Sequence, residues 1–204
     1  MNISDINAYF INPDDYSHRR KPTEDTLVSC NFKSVTRIAF NEKSHGKNNT
    51  MTKAHLALLN KALEDNAFPF VLFEDDARLI KPLPESFNIP NEAELIYLGG
   101  SNYSFGPQMR IEEYNDEYFR VYNMLSAHAI LVPDARGLNT IVDAYNKALE
   151  ESGYNDIQLA HSSNHHIFLV PKEGNYFYQD DYTKSVTDFL WKEVKNKFLK
   201  TSFS

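Results

Sequence analysis

Cysteine is almost missing from this 204-residue chain: Cys30 stands alone, which excludes an internal disulfide and any cysteine-based zinc site. Its neighbours Leu27, Val28 and Phe32 predict a buried, inert thiol. Long hydrophobic runs are also lacking. The most apolar stretches, Phe68 to Phe73 and Ala129 to Val132, fall far short of the roughly 18 residues a membrane span requires. The N-terminal Met-Asn-Ile-Ser-Asp-Ile-Asn has neither a basic flank nor an apolar signal core, so a cytoplasmic protein is expected. Basic residues are outnumbered, and a net charge of −7 weighs against broad electrostatic binding to nucleic acid, leaving only a local patch to serve that role. No repeat, low-complexity tract or linker interrupts the chain, and 42% hydrophobic with 24% charged residues describes a folded globule. One domain over 1–204 is the expectation. The abundance of Asn, Lys and Tyr points to an AT-rich coding genome such as that of a phage or another virus.

Strands and helices alternate. Ile6 to Asn12, Thr26 to Phe32 and Val35 to Phe40 read as β-prone runs, with a polar loop over Asn41 to Asn49. Met51, His55, Leu58, Leu59, Ala62 and Leu63 recur at helical spacing, predicting a helix over Thr50 to Asp65 capped by Asn49 or Thr50. Phe68 to Phe73 has the unbroken hydrophobicity of a central strand buried on both faces. Glu94 to Leu98 reads as the next strand, closed by Gly99-Gly100, and Ser101 to Asp116 as a polar loop. Tyr118 to Tyr122 and Ala127 to Val132 are further strands, followed by an amphipathic helix through Leu138 to Leu149 that Asp134 caps. A helical turn over Asp156 to Ala160, a strand over His166 to Val170, a loop through Gln179 to Ser185 and a helix over Thr187 to Leu199 complete the reading. This pattern predicts an α/β fold, with a mostly parallel mixed sheet flanked by helices.

The chemistry concentrates at Glu74-Asp75-Asp76, where the most hydrophobic strand leaves the sheet. Ligands of open α/β sheets bind at the carboxyl ends of strands. Three adjacent carboxylates raise one another's pKa unless a cation neutralises them. A hard divalent ion, Mg²⁺ or Mn²⁺, suits such oxygen donors and bridges to a diphosphate, which a nucleotide-sugar supplies. The same triplet also reads as a solvated acidic turn.

Phe73-Glu74-Asp75-Asp76-Ala77, preceded by Phe68-Pro69-Phe70, resembles the Glu-Asp-Asp motif of glycosyltransferase family 25, which includes lipooligosaccharide and collagen galactosyltransferases. Ile11-Asn12 followed by Arg19-Arg20 resembles the family's opening motif. Ala54 to Leu58 is similar to its Ser-His-Leu segment, and Leu95 to Gly99 to the strand after the acidic motif. Ser126 to Val132 resembles a further family strand, and Asp156 to Leu159 with Pro171, Gln179 and Ser185 resembles the C-terminal segment. Pro13 and Ala54 depart from the family's leucine and serine, and Thr50-Met51 stands where a Gly-Cys pair is usual, departures that bear on donor specificity.

The resemblance implies a GT-A-type fold and inverting transfer from a UDP-sugar to a hydroxyl acceptor, such as a lipopolysaccharide glycan, a protein or a modified base. Asp75 and Asp76 are the expected ligands of Mn²⁺ or Mg²⁺, with His161, from the cluster His161, His165 and His166, completing the shell. Arg19 and Arg20 are expected on the diphosphate, Asn12 and Gln179 on the donor, and Glu74 on the ribose or a metal-bound water. Asp156 is the candidate base for the acceptor hydroxyl, its alternative role being a helix cap. Asp180 and Asp181 lie in a loop placed to close over the donor, and Tyr103, Phe105, Tyr176 and Tyr178 suit either sugar stacking or ordinary core packing. His55 and His128, in apolar segments, read as core histidines. A metal-dependent phosphotransferase and a non-catalytic sugar-binding module compete with this reading. The Asp-x-Asp phosphatase signature fails at Arg78, and a receiver domain closes its first strand, not a later one, with paired acids.

Overall fold

The computed structural model describes residues 1–41, 47–101, 109–151 and 153–179. Asp180, Asp181, Tyr103, Phe105 and the helix expected over 187–199 lie outside the described residues. Within them, β1 (Asn7–Ile11), β2 (Ser34–Ile38), β3 (Phe70–Glu74), β5 (Leu95–Ser101), β6 (Arg110–Glu113), β7 (Tyr118–Tyr122), β8 (Leu125–Val132) and β9 (Phe168–Pro171) form one sheet. Its order is β2-β1-β3-β8-β5-β9-β7-β6. Pairing is parallel for β1 with β2 and β3 and for β5 with β9, and antiparallel elsewhere. Followed through these pairings, all strands share one direction except β8 and β7. This is the α/β mixed sheet that the alternation of elements predicts. A second sheet pairs β4 (Ala77–Leu79) with β10 (Phe177–Gln179).

Two cores sandwich the large sheet. On one face α2 (Lys47–Glu64), α3 (Ala135–Glu150) and α4 (Asn155–Ser162) set Leu58, Ile141, Tyr145 and Leu159 against Leu72, Tyr97 and Ile130. On the other, α1 (Ser17–Ser29) and β10 set Leu27 and Phe177 against Val71, Phe73 and Leu131. Phe70 to Phe73 is fully enclosed, as its unbroken hydrophobicity predicts.

Several expectations are overturned. Thr26 to Phe32 belongs mostly to α1, not to a strand. Its buried residues Thr23, Leu27 and Cys30 recur at helical spacing while Val28 stays 62% exposed, so packing overrides the β-propensity of the run. β5 continues through Gly99-Gly100, since the bare backbone at Gly99 admits the His128 ring: a Cβ there would lie 2.4 Å from Nε2. The polar segment after it contains β6, an edge strand whose charged, mostly exposed side chains carry no hydrophobic alternation. α2 starts at Lys47, ahead of the expected caps. Gln179 lies in a strand, not a loop. Asp134 does cap α3, accepting from the Arg136 amide at 2.8 Å.

Candidate active site

From β1 the chain crosses through α1 to β2 on one side, and later returns through α2 to β3 on the other. The two helices therefore cover opposite faces, and a crevice opens between the carboxyl ends of β1 and β3. Ile11 is in register with Glu74 there, so Asn12 and Asp75 emerge side by side. Asp75 and Asp76 form the two-residue turn that leads from β3 into β4.

Asp75 is held from three segments. Its Oδ2 accepts from Asn12 Nδ2 at 2.8 Å and its Oδ1 from Arg19 at 3.2 Å. Its carbonyl accepts from the Thr23 hydroxyl at 2.5 Å and from Arg78 at 3.0 Å, while Arg78 also bonds the Ala77 carbonyl. Asn12 is in turn oriented by Arg37 of β2, whose Nε donates to Asn12 Oδ1 at 3.1 Å. With its oxygen so engaged, the amide can present only Nδ2 to Asp75 and to the Tyr16 carbonyl. Asp76, 7% exposed, has its Oδ2 3.9 Å from the same Arg19 guanidinium.

Glu74 leaves β3 on the opposite face, as strand alternation requires. Gln179 Nε2 donates to its Oε2 at 2.8 Å, and His55 Nε2 stands 3.5 Å from its Oε1. Gln179 arrives there because β10 pairs it with Ala77. Burial raises the Glu74 carboxyl, but His55, His128 and Gln179 outweigh burial and hold it below the usual glutamate range. His128 is itself driven down by burial, against its bond to the Phe177 carbonyl and the nearby Glu74 charge.

Asn12, Arg19, Asp75 and Asp76 thus converge, with Glu74 beside them on the adjoining face, reached by the Gln179 side chain from β10. Arg20 does not join them: it projects from α1 and pairs with Glu24 at 2.9 Å. His161 is exposed in the last turn of α4, and His166 instead bonds Glu94 at 2.8 Å. Among the described residues no three His, Cys, Asp or Glu side chains gather into a metal cluster. Asp156 sits in the first turn of α4, where its Oδ1 accepts from the Ile157 amide at 2.9 Å, and Tyr154 occupies the cap position. Its charge reaches Tyr97 and Tyr145 on the face where Glu74 emerges. Tyr176 is buried in the core with its hydroxyl on Glu173, so its ring is not a stacking face.

The chain order hides part of this site. Arg37, Thr23 and Arg78 hold Asn12 and Asp75, yet their sequence neighbourhoods carry no pattern that separates them from surface residues. His55 and His128 are buried, as expected of core histidines, and both also face Glu74. Strand alternation puts Glu74 on the face of Leu72, and that parity is the available signal for pairing it with α2.

No protein-family model matches this chain, and no curated protein matches it. Among solved structures it is similar to a glycosyltransferase involved in the glycosylation of the major capsid of the virus PBCV-1, at 8% identity and a TM-score of 0.49. That match covers 71% of this chain and 66% of the other, just under two thirds of its length. It is also similar to a nucleoside-diphosphate-sugar pyrophosphorylase from Vibrio cholerae, at 10% identity and a TM-score of 0.48, over 92% of this chain and 82% of that one.

Proposed function

We propose that this chain is a glycosyltransferase of the family 25 type, moving a sugar from a UDP-sugar to a hydroxyl acceptor with inversion. One observation carries the reading: Asn12 and Arg19, from the opening motif, both bond Asp75 of the acidic motif at the β1/β3 crevice. Two motifs that resemble one family by sequence therefore meet at the position where open sheets bind ligands.

The donor set fits a hard divalent cation. Asp75 and Asp76 are adjacent carboxylates sharing one guanidinium, and Mg²⁺ or Mn²⁺ in nucleotide sites is held by one or two carboxylates with water and phosphate oxygens filling the rest. Such an ion supplies charge stabilisation for the departing diphosphate. Arg19, already at the mouth of the crevice, adds planar donors for the same oxygens. In the inverting displacement, the acceptor oxygen bonds to the anomeric carbon as the bond from that carbon to the diphosphate oxygen breaks. Asp156 takes the acceptor's proton. The acceptor is a hydroxyl of a glycan, a protein or a modified base, and the net charge of −7 disfavours the last. No helix among the described residues is long and apolar enough to cross a membrane.

The test is calorimetric titration of a nucleotide-sugar panel with Mn²⁺, with chelator, and against Asp75→Ala/Asp76→Ala. Binding of one UDP-sugar that needs both the metal and the two carboxylates is expected. Metal-independent binding, or none across the panel, sinks the proposal and returns the phosphotransferase and sugar-binding readings.

A further inference from the structure

Buried polar atoms in folded proteins are nearly always hydrogen-bonded. On the face where Glu74 emerges, three are not: His55 Nε2, Tyr97 Oη and Tyr145 Oη are enclosed and lack any hydrogen-bond partner. The parent residues are 2%, 0% and 0% exposed. They come from α2, β5 and α3, separate elements that meet in one core. His55 and Tyr145 are in edge contact, their ring centroids 5.4 Å apart. Asn155 lies beside the Tyr145 hydroxyl without satisfying it. The Glu74 charge reaches Tyr145, and that of Asp156 reaches both tyrosines, so all five groups share one neighbourhood.

The hydrogen-bond chemistry narrows what belongs there. His55 Nδ1 faces the Met51 carbonyl at 2.9 Å and must carry a hydrogen to bond it. Its Nε2 stands 3.5 Å from Glu74 Oε1, near enough to hold that carboxyl low and too far for a full hydrogen bond to satisfy either atom. An imidazole nitrogen, a carboxylate and two phenols call for a partner that donates and accepts at several points on a small frame. A metal cation does not meet that need, since phenols are poor ligands beside carboxylates, and an anion would face Glu74 and Asp156. A ring bearing several hydroxyl groups meets it.

We propose that His55, Tyr97 and Tyr145, with Glu74 and Asp156, form the pocket that reads the hydroxyl groups of the sugar being transferred. This rests on the glycosyltransferase reading, which places the diphosphate at Asp75 and Asp76, one residue away along the chain and on the other side of β3. It separates two tasks. Asn12, Arg19 and Asp75 hold the nucleotide diphosphate, and the tyrosine pair selects the sugar. Asp156 then stands beside the sugar it is to serve as base.

Tyr97→Phe and Tyr145→Phe remove only the unbonded hydroxyls and keep the rings. Titrations use UDP, UDP-glucose, UDP-galactose and UDP-N-acetylglucosamine with Mn²⁺, and thermal melts are recorded without ligand. Expected are UDP affinities within about twofold of wild type, about tenfold weaker binding of the preferred UDP-sugar, and melting temperatures no lower than wild type, since each deleted hydroxyl has no bond to lose. Unchanged UDP-sugar affinity in both variants overturns the pocket and leaves the transferase reading standing. A fall in melting temperature with unchanged binding also overturns it, because the hydroxyls then serve the fold through buried water. Wild-type protein that binds neither UDP nor any UDP-sugar sinks both readings together.

Discussion

Asn12 is fully buried at the end of β1, and each end of its amide has one assignment: oxygen to Arg37, nitrogen to Asp75 and the Tyr16 carbonyl. Asn12→Ala leaves a guanidinium and a carboxylate short of partners, and each unsatisfied buried group costs about 1–3 kcal/mol. A loss of roughly 2–3 kcal/mol in urea unfolding is expected. A loss below about 0.5 kcal/mol, the range of ordinary surface changes, contradicts this account. Cys30 illustrates the opposite environment. Burial pushes its thiol from 9.0 to about 11. The folded chain therefore keeps the proton where the unfolded chain has lost it, so this group's contribution falls as pH rises from about 9 to about 11. At pH 8 the thiolate is roughly 100-fold scarcer than in the unfolded chain, and iodoacetamide should label Cys30 at least that much more slowly in native protein than in guanidinium. The burial of Cys30 was legible from its neighbours. The assignments of Asn12 were not, because Arg37 and Asp75 are 25 and 63 residues away and only the sheet brings them together.

Elements were legible where hydrophobic period was clean. α3 and β7 lie where their patterns place them, and β3 is the enclosed strand that Phe70 to Phe73 announces. Recognition failed where tertiary contact decides: β-prone residues fold into α1, and β4, β6 and β10 are short strands whose partners, not their own composition, make them strands. Helix α3 offers a test of packing against propensity at this scale. Gly137 lies in its first turn, and a Cβ there would stand 2.0 Å from the carbonyl oxygen of Glu94, the residue before β5. Helix propensity alone favours Gly137→Ala by about 1 kcal/mol. The clash is with backbone, which cannot rotate away, and overpacking costs about 1–3 kcal/mol. Packing wins in this comparison, so the variant should unfold at lower urea concentration. A stabilised variant means that α3 rides farther from β5 than described.

The whole molecule couples its two faces through β3, whose successive residues Glu74 and Asp75 leave the sheet in opposite directions. On the proposed reading, a donor that spans the strand end meets Arg19 of α1 and Asp75 on one side, and His55 of α2 and Tyr145 of α3 on the other; these pairs are themselves in contact without it. Binding should therefore stabilise the fold as a unit and not one helix alone. At a UDP-sugar concentration 100 times its dissociation constant, linkage supplies about 2.7 kcal/mol. For a chain of this length that corresponds to a rise in melting temperature of roughly 5–10 °C. The rise is expected with Mn²⁺ present, and should vanish with chelator or in Asp75→Ala/Asp76→Ala. UDP at the same concentration should give a smaller rise, since it reaches the carboxylate side without filling the tyrosine side and so binds more weakly. Equal shifts for UDP and UDP-sugar at equal concentration would confine the ligand to the α1 face. An undiminished shift in the double variant would move the site away from the β1/β3 crevice altogether.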